Sequence, residues 1–153
     1  MTKQTIPWEL ENGFLLGGFP YHDGRIVEFA YRETDESNAS VERTLLIGVL
    51  NTLDQIVSIR FERVKMLNIA QFWPSAIVYD IEVNREKNLP AEQNGEPGFW
   101  DILKPVVPNT DTDRRRAEIE QAQKAYEANF FIRLYSSYGA SLALICETIT
   151  VEI

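Results

Sequence analysis

Alternation governs this sequence. Beyond Arg25, apolar and polar residues trade places every second position in one stretch after another, the pattern of β-strands with one face buried. In 25–32, Val27, Phe29 and Tyr31 point one way and Glu28 and Arg32 the other. Residues 34–42 (TDESNASVE) are polar and predict a hairpin loop. Residues 43–50 (RTLLIGVL) are apolar on both faces, as a central strand is. Asn51–Asp54 has turn chemistry. Residues 55–64 then alternate, with Val57, Ile59 and Phe61 inward and Ser58, Arg60 and Glu62 outward.

Residues 65–70 predict a short further strand, which a bulge would join to the one before. Pro74 disfavours helical geometry at Trp73, so 71–75 reads as a corner. In 76–84, Ile77, Tyr79, Ile81 and Val83 oppose Asp80, Glu82 and Asn84. Residues 85–110 break the pattern with Pro90, Asn94-Gly95, Pro97-Gly98, Pro105 and Pro108, and form a long loop. Its one apolar stretch, Phe99–Leu103, is expected to dock on the core as a short helix or strand. A helix follows over 111–128, capped by Asp111 or Thr112, with a weak stripe of Ala117, Ala122, Ala125 and Tyr126. Strands resume at 129–135, a turn falls at 136–139, and 140–153 runs to the end. There Leu142, Leu144 and Cys146 share one face, and Ala143, Ile145, Ile149, Val151 and Ile153 the other.

These elements predict a mainly β fold: an antiparallel sandwich or partial barrel of about seven or eight short strands, with one helix. The absence of strand–helix alternation argues against a parallel α/β sheet, while α+β stays open. A length of 153 residues suits a single domain over 1–153, able to bury about 70% of its unfolded surface.

The charge narrows the partners. The net charge is −8, with 15 Lys and Arg scattered along the chain. Binding through phosphates needs clustered cations, so nucleic acid is not expected. An acidic surface favours a basic protein partner. No run is long and apolar enough to span a membrane and no secretory leader is apparent, which sets a cytoplasmic expectation.

Chemistry is limited by the side chains that are scarce. His22 is the only histidine and Cys146 the only cysteine. An internal disulfide is impossible, and a multi-histidine metal centre has no ligands, so no metal or cofactor is expected. Cys146 lies mid-strand beside Leu142 and Leu144, where a thiol packs and does not react. No nucleophile elbow is present. Gly17-Gly18 lacks the flanking pattern of a phosphate loop. Arg114-Arg115-Arg116 opens the helix, where the macrodipole disfavours cations; Asp111 and Asp113 offset this. By alternation Glu147 would face inward, where it needs a partner such as Arg60 or Arg133, unless a bulge turns it outward.

Tyr21-His22-Asp23-Gly24 reads first as a turn anchored by Asp23 and His22 ahead of a strand. A recognition role for Tyr21, His22 and Asp23 is the alternative. The order of features also resembles a known group. The His-Asp doublet precedes the first strand; Val57–Val64 leads into Leu67-Asn68-Ile69; Phe72-Trp73 and Ile77-Val78-Tyr79-Asp80-Ile81 follow; and Leu-x-Leu-x-Cys-Glu-x-Ile closes the chain from Leu142 to Ile149. This is similar to small bacterial proteins that open with a Phe-His-Asp motif, some of them immunity proteins of polymorphic toxin systems. The likeness covers about 20–84 and 130–153. Tyr21 stands where those proteins carry Phe, and 85–128 has no counterpart. The resemblance implies a mainly β binding protein without catalysis.

Two readings follow. In the first, a non-catalytic protein-binding module uses the 85–110 loop, with Phe99, Trp100 and nearby carboxylates, as its contact surface. In the second, a small-molecule-binding barrel, with or without weak activity, lines a pocket with Trp73, Tyr79, Phe99 and Trp100, and His22 and Asp23 orient the ligand. A homo-oligomer built by edge-strand pairing is a third arrangement.

Overall fold

The computed structural model describes residues 5–6, 9–11, 14–16, 23–35, 41–84 and 98–153. Three short strands, β1 (Thr5–Ile6), β2 (Glu9–Glu11) and β3 (Phe14–Leu16), precede the region where the sequence first signals a strand. Alternation needs about four residues to register, so strands this short escape it. β4 (Arg25–Asp35) and β5 (Val41–Leu50) form an antiparallel hairpin that extends further into 34–42 than the polar composition predicts. β5 is central, as its two-faced apolar run requires, with β4 on one side and β6 (Ile56–Asn84) on the other.

The β5–β6 turn is built by Asn51. Its side-chain oxygen accepts the amide hydrogens of Leu53 and Gln55, both at 2.9 Å, which satisfies the turn's inward donors. Asp54 takes a left-handed conformation (φ 58°), which Asp tolerates better than most residues.

The main departure from expectation is strand length. β6 has 29 residues and β7 (Phe130–Glu152) has 23, and they pair antiparallel from Ser58–Glu152 to Asn84–Phe131. The five short strands expected over 55–84 and 129–153 are thus two long ones. The predicted corner and turn are bulges through which the ladder continues. Phe72 pairs with Ala140 and Ile77 with Tyr138, so 73–76 stand opposite Gly139 alone. Ser75 (φ 62°) and Gly139 (φ 82°) absorb the bend. A bulge of this kind curves a ribbon without ending it.

β6 bonds β5 over 56–62, β4 at Arg25–Ile77 and β3 at Phe14–Glu82, while β7 carries β1 on its far edge. The result is one antiparallel sheet of seven strands, curled nearly shut into a barrel. Its interior is filled from β4 to β7, with Leu45, Ile47, Ile59, Phe61, Ile81, Ile132, Leu134, Leu142 and Leu144 the largest buried side chains. Cys146 is buried among them.

Each bulge also shifts which residues face inward. In β4 the ladder slips between Ile26 and Glu28, so Ile26 enters the core, Val27 is 46% exposed, and Tyr31 too is exposed. In β6, Ala76 and Val78 are buried where Ile77 and Tyr79 were expected; a slip between Val78 and Asp80 then returns Ile81 and Val83 to the interior. In β7, Ile149 and Val151 join Leu142, Leu144 and Cys146 on the core side, not the opposite one. The shift lies beside Arg63 (φ 52°): Glu147 is exposed in the outward phase of Ala143 and Ile145, and Ile149 and Val151 beyond it turn inward. The partners of Glu147 are Lys65 (3.0 Å) and Arg63 (3.3 Å), in place of Arg60 or Arg133. Arg60 instead pairs with Glu152 and Glu62, and Arg133 lies opposite Glu82, both of them buried.

A second apolar cluster covers the outer side of the β6–β7 ribbon. α1 (Phe99–Leu103) lays Phe99, Ile102 and Leu103 on Phe131, Ala143 and Ile145, so the apolar stretch inside the long loop docks as a helix. Asn68 fixes it by donating to the Ile102 carbonyl at 2.7 Å. α2 (Thr112–Ala125) begins at Asp111, whose side chain accepts the Arg114 amide. Arg115 donates to the carbonyls of Lys104 (2.7 Å) and Trp100 (3.2 Å), so it caps the C-terminal end of α1. The arginine run thus has a structural use at that position.

Candidate functional site at the barrel seam

β4 has two unequal edges. Along the β5 edge it is paired from Arg25 to Asp35. Along the other, among the described residues, its only ladder contact is Arg25–Ile77. The backbone of Asp23 and Gly24 reinforces that point: the Asp23 amide donates to the Val78 carbonyl (2.8 Å) and the Val78 amide to the Gly24 carbonyl (2.9 Å). Beyond it β4 and β6 separate. Among the described residues, β6 leaves β5 after Glu62 and meets β4 only at Ile77, so 63–72 is bonded to β7 on one edge and 63–76 to no strand on the other.

The two edges face each other across a seam. The rings of Phe29 and Phe72 meet there with centroids 4.6 Å apart. Below this contact lies a cleft of about 550 Å³ walled by Val27, Glu28, Phe29, Phe72 and Ser75, with Arg25 at its foot. Above it lies another of about 330 Å³ between Tyr31 and Arg43 on one side and Val64–Leu67 on the other. Five exposed bulky side chains belong to these two edges: Val27 and Tyr31 from β4, and Ile69, Phe72 (37%) and Trp73 (47%) from β6. The ladder slip at Ile26/Glu28 leaves Val27 outside the core, and Phe72 and Trp73 stand where the ladder enters the long bulge at 73–76.

Electrostatically the upper end is paired. The Tyr31 hydroxyl donates to Glu33 Oε1 (3.0 Å) and Arg43 Nε donates to the same oxygen (3.1 Å). The Tyr31 hydrogen bond first, then that from Arg43, holds the Glu33 carboxyl below the usual carboxylate range. Burial and the neighbouring carboxylate push the Tyr31 phenol up. Lys65 first, then Arg63, likewise holds Glu147 low.

The expected site residues fall in different places. Asp23 is exposed at the foot of the seam, in a left-handed conformation (φ 60°) that suits a turn. Tyr21 and His22 lie outside the described residues. Phe99 is 2% exposed and packs edge-on against Trp100 and Phe131, so it is a core residue of the second cluster. Trp100 is half-buried beside it, and its Nε1 is buried with no hydrogen-bond partner among the described residues. Trp73 stands at the corner with its Cβ against Gly139, and the Tyr79 side chain lies outside the described residues. The 85–97 part of the long loop also lies outside them. Sequence reading missed Val27, Tyr31 and Ile69 as exposed residues, the first two because alternation assigned them to the core, whereas Phe29 packs against the core as alternation has it.

Among the described residues no three His, Cys, Asp or Glu side chains are gathered as metal ligands, and no helix is long and apolar enough to cross a membrane. Among the described residues the interior is filled by side chains, and these two clefts lie along the seam. Comparison with family models, with curated proteins and with solved structures finds no match to this chain.

Proposed function

We propose that this protein is a non-catalytic protein-binding module of the immunity-protein kind, and that it engages a basic partner through the β4–β6 seam. The observation that carries this reading is the set of exposed apolar side chains along the β4–β6 seam, where the ladder, among the described residues, is interrupted. Aromatic anchors ringed by charged groups are what interface hot spots consist of. Here Phe72 and Trp73 are the anchors, with Arg25, Glu28 and Asp23 at the rim. The net charge of −8 supports attraction of a basic partner. A sequence with a single histidine and one core-packed cysteine supports binding over transformation.

The test is affinity capture from native lysate, with any adjacent toxin-type gene product as the first candidate, followed by calorimetry. Phe72→Ala with Trp73→Ala is expected to weaken the complex by at least about a hundredfold. Recovery of no partner, together with no neighbouring toxin gene, contradicts the module. Full affinity in the double variant contradicts the seam as its surface. A small-molecule role is the second reading. The cleft of about 550 Å³ favours it, since ligand pockets commonly measure about 300–1,000 Å³.

A further inference from the structure

Charge on β4 is distributed differently from charge on the other long strands. On β5, β6 and β7, each described charged side chain has an ion pair or another interaction within the chain. On β4, Glu33 is paired with Arg43, but Arg25, Glu28 and Arg32 are exposed and have no ion-pair partner among the described residues. Arg25 sits where the seam is closed by Ile77. Glu28 and Arg32 sit where it opens. They share the outer face of β4 with Ala30 between them, because side chains alternate along a strand. Phe29 and Tyr31 occupy the alternate positions and look toward the seam.

We infer that the seam takes up an extended polypeptide segment as an added strand on β4, and that Glu28 and Arg32 select its sequence. The inference rests on the seam being the docking surface, and it specifies the occupant. Among the described residues, β4 beyond Arg25 has no ladder partner on the seam side, and a strand is the ligand that uses such an edge. Side chains directly opposite across a ladder interact as pairs, with opposite charges favourable and like charges unfavourable. The added segment therefore carries a basic residue opposite Glu28 and an acidic one opposite Arg32, four positions apart. Its intervening alternate residues are apolar, against Phe29 and Tyr31. In the antiparallel sense the segment reads acidic–apolar–x–apolar–basic. The Phe72 ring, already partly exposed, swings onto the incoming strand. A second copy of β4 is a poorer occupant. Placing its Arg32 opposite Glu28 would lay its far end against the stretch already closed by Ile77.

The experiment uses the whole protein and capped synthetic peptides with the core Glu-Val-Thr-Val-Lys, its charge-reversed form Lys-Val-Thr-Val-Glu, and the first peptide N-methylated at alternate residues. Binding is read as shifts of the β4 amide resonances. The expected result is binding of the first peptide, loss of binding on N-methylation, and a preference over the reversed peptide of about three- to tenfold. In Glu28→Arg/Arg32→Glu, both exposed substitutions, the preference inverts. Lack of binding by either peptide overturns the inference. So does binding that survives N-methylation, a preference that does not invert, or self-association that occupies β4 instead. A natural partner that needs Phe72 and Trp73 but binds the charge-swapped variant unchanged overturns strand addition and leaves the docking surface standing.

Discussion

The two edges of β4 show what closes this barrel and what keeps it open. Toward β5 the strand is paired over its whole length, and the side chains behind that wall, Leu45, Ile47 and Val49, are fully buried. Toward β6 the same strand is paired, among the described residues, at one point, and the exposed side chains along the gap are Val27, Tyr31, Phe72 and Trp73. Composition does not separate the two edges, since both are rich in apolar residues. Backbone geometry does: bulges at Ile26/Glu28 and 73–76 put the β6 ladder out of step with β4. An apolar residue buried behind a continuous ladder stabilises the fold, and one beside an interrupted ladder is left in contact with water.

The largest expected effect sharpens that contrast. Phe61→Ala, within the sealed interior, should destabilise the fold by about 3–5 kcal/mol in urea unfolding, whereas Phe72→Ala at the seam should cost under about 1 kcal/mol. Equal costs would mean that the seam is packed like the core. Next is Gly139→Ala. The φ of 82° is unfavourable for a residue with a side chain, and the added Cβ would stand 3.2 Å from the Trp73 Cβ. A loss of about 1–3 kcal/mol is expected, with the change in β-ladder resonances centred on the corner. Asn51→Ala removes the acceptor for two turn amides and should cost about 1–2 kcal/mol by the same measurement.

The smallest effect concerns Glu147, outside the seam at the other phase shift. Its folded pKa is lowered, so its pairing with Lys65 and Arg63 stabilises the fold above the ordinary carboxylate value. That contribution is lost as pH falls through the folded value. Glu147→Gln should lower stability by a few tenths of a kcal/mol at pH 7, the pair being partly exposed. The gap to the parent protein should close in acid. A gap that persists in acid would assign the loss to packing and not to charge.

Legibility in the sequence followed the same division. The central position of β5 was readable from its apolar run, the docking of Phe99–Leu103 from its isolation among prolines, and the helix from Asp111 and the alanine stripe. The joining of β6 and β7 was not, because Pro74 and Gly139 carry the same signal whether they end a strand or bulge it. Inward phase was lost at each bulge for the same reason: a one-residue slip exchanges the two faces. The seam was therefore hidden. Val27, Phe29 and Tyr31 alternate as core residues do, and only the pairing of β4 with its neighbours reveals which of them water reaches.

Amide hydrogen exchange along β4, followed by NMR, tests the open edge most directly. Amides that point toward β5 should be strongly protected. Those that point toward the seam beyond Phe29 should exchange quickly, in strict alternation along the strand. Uniform protection of β4 would show that both edges are bonded and would contradict the account.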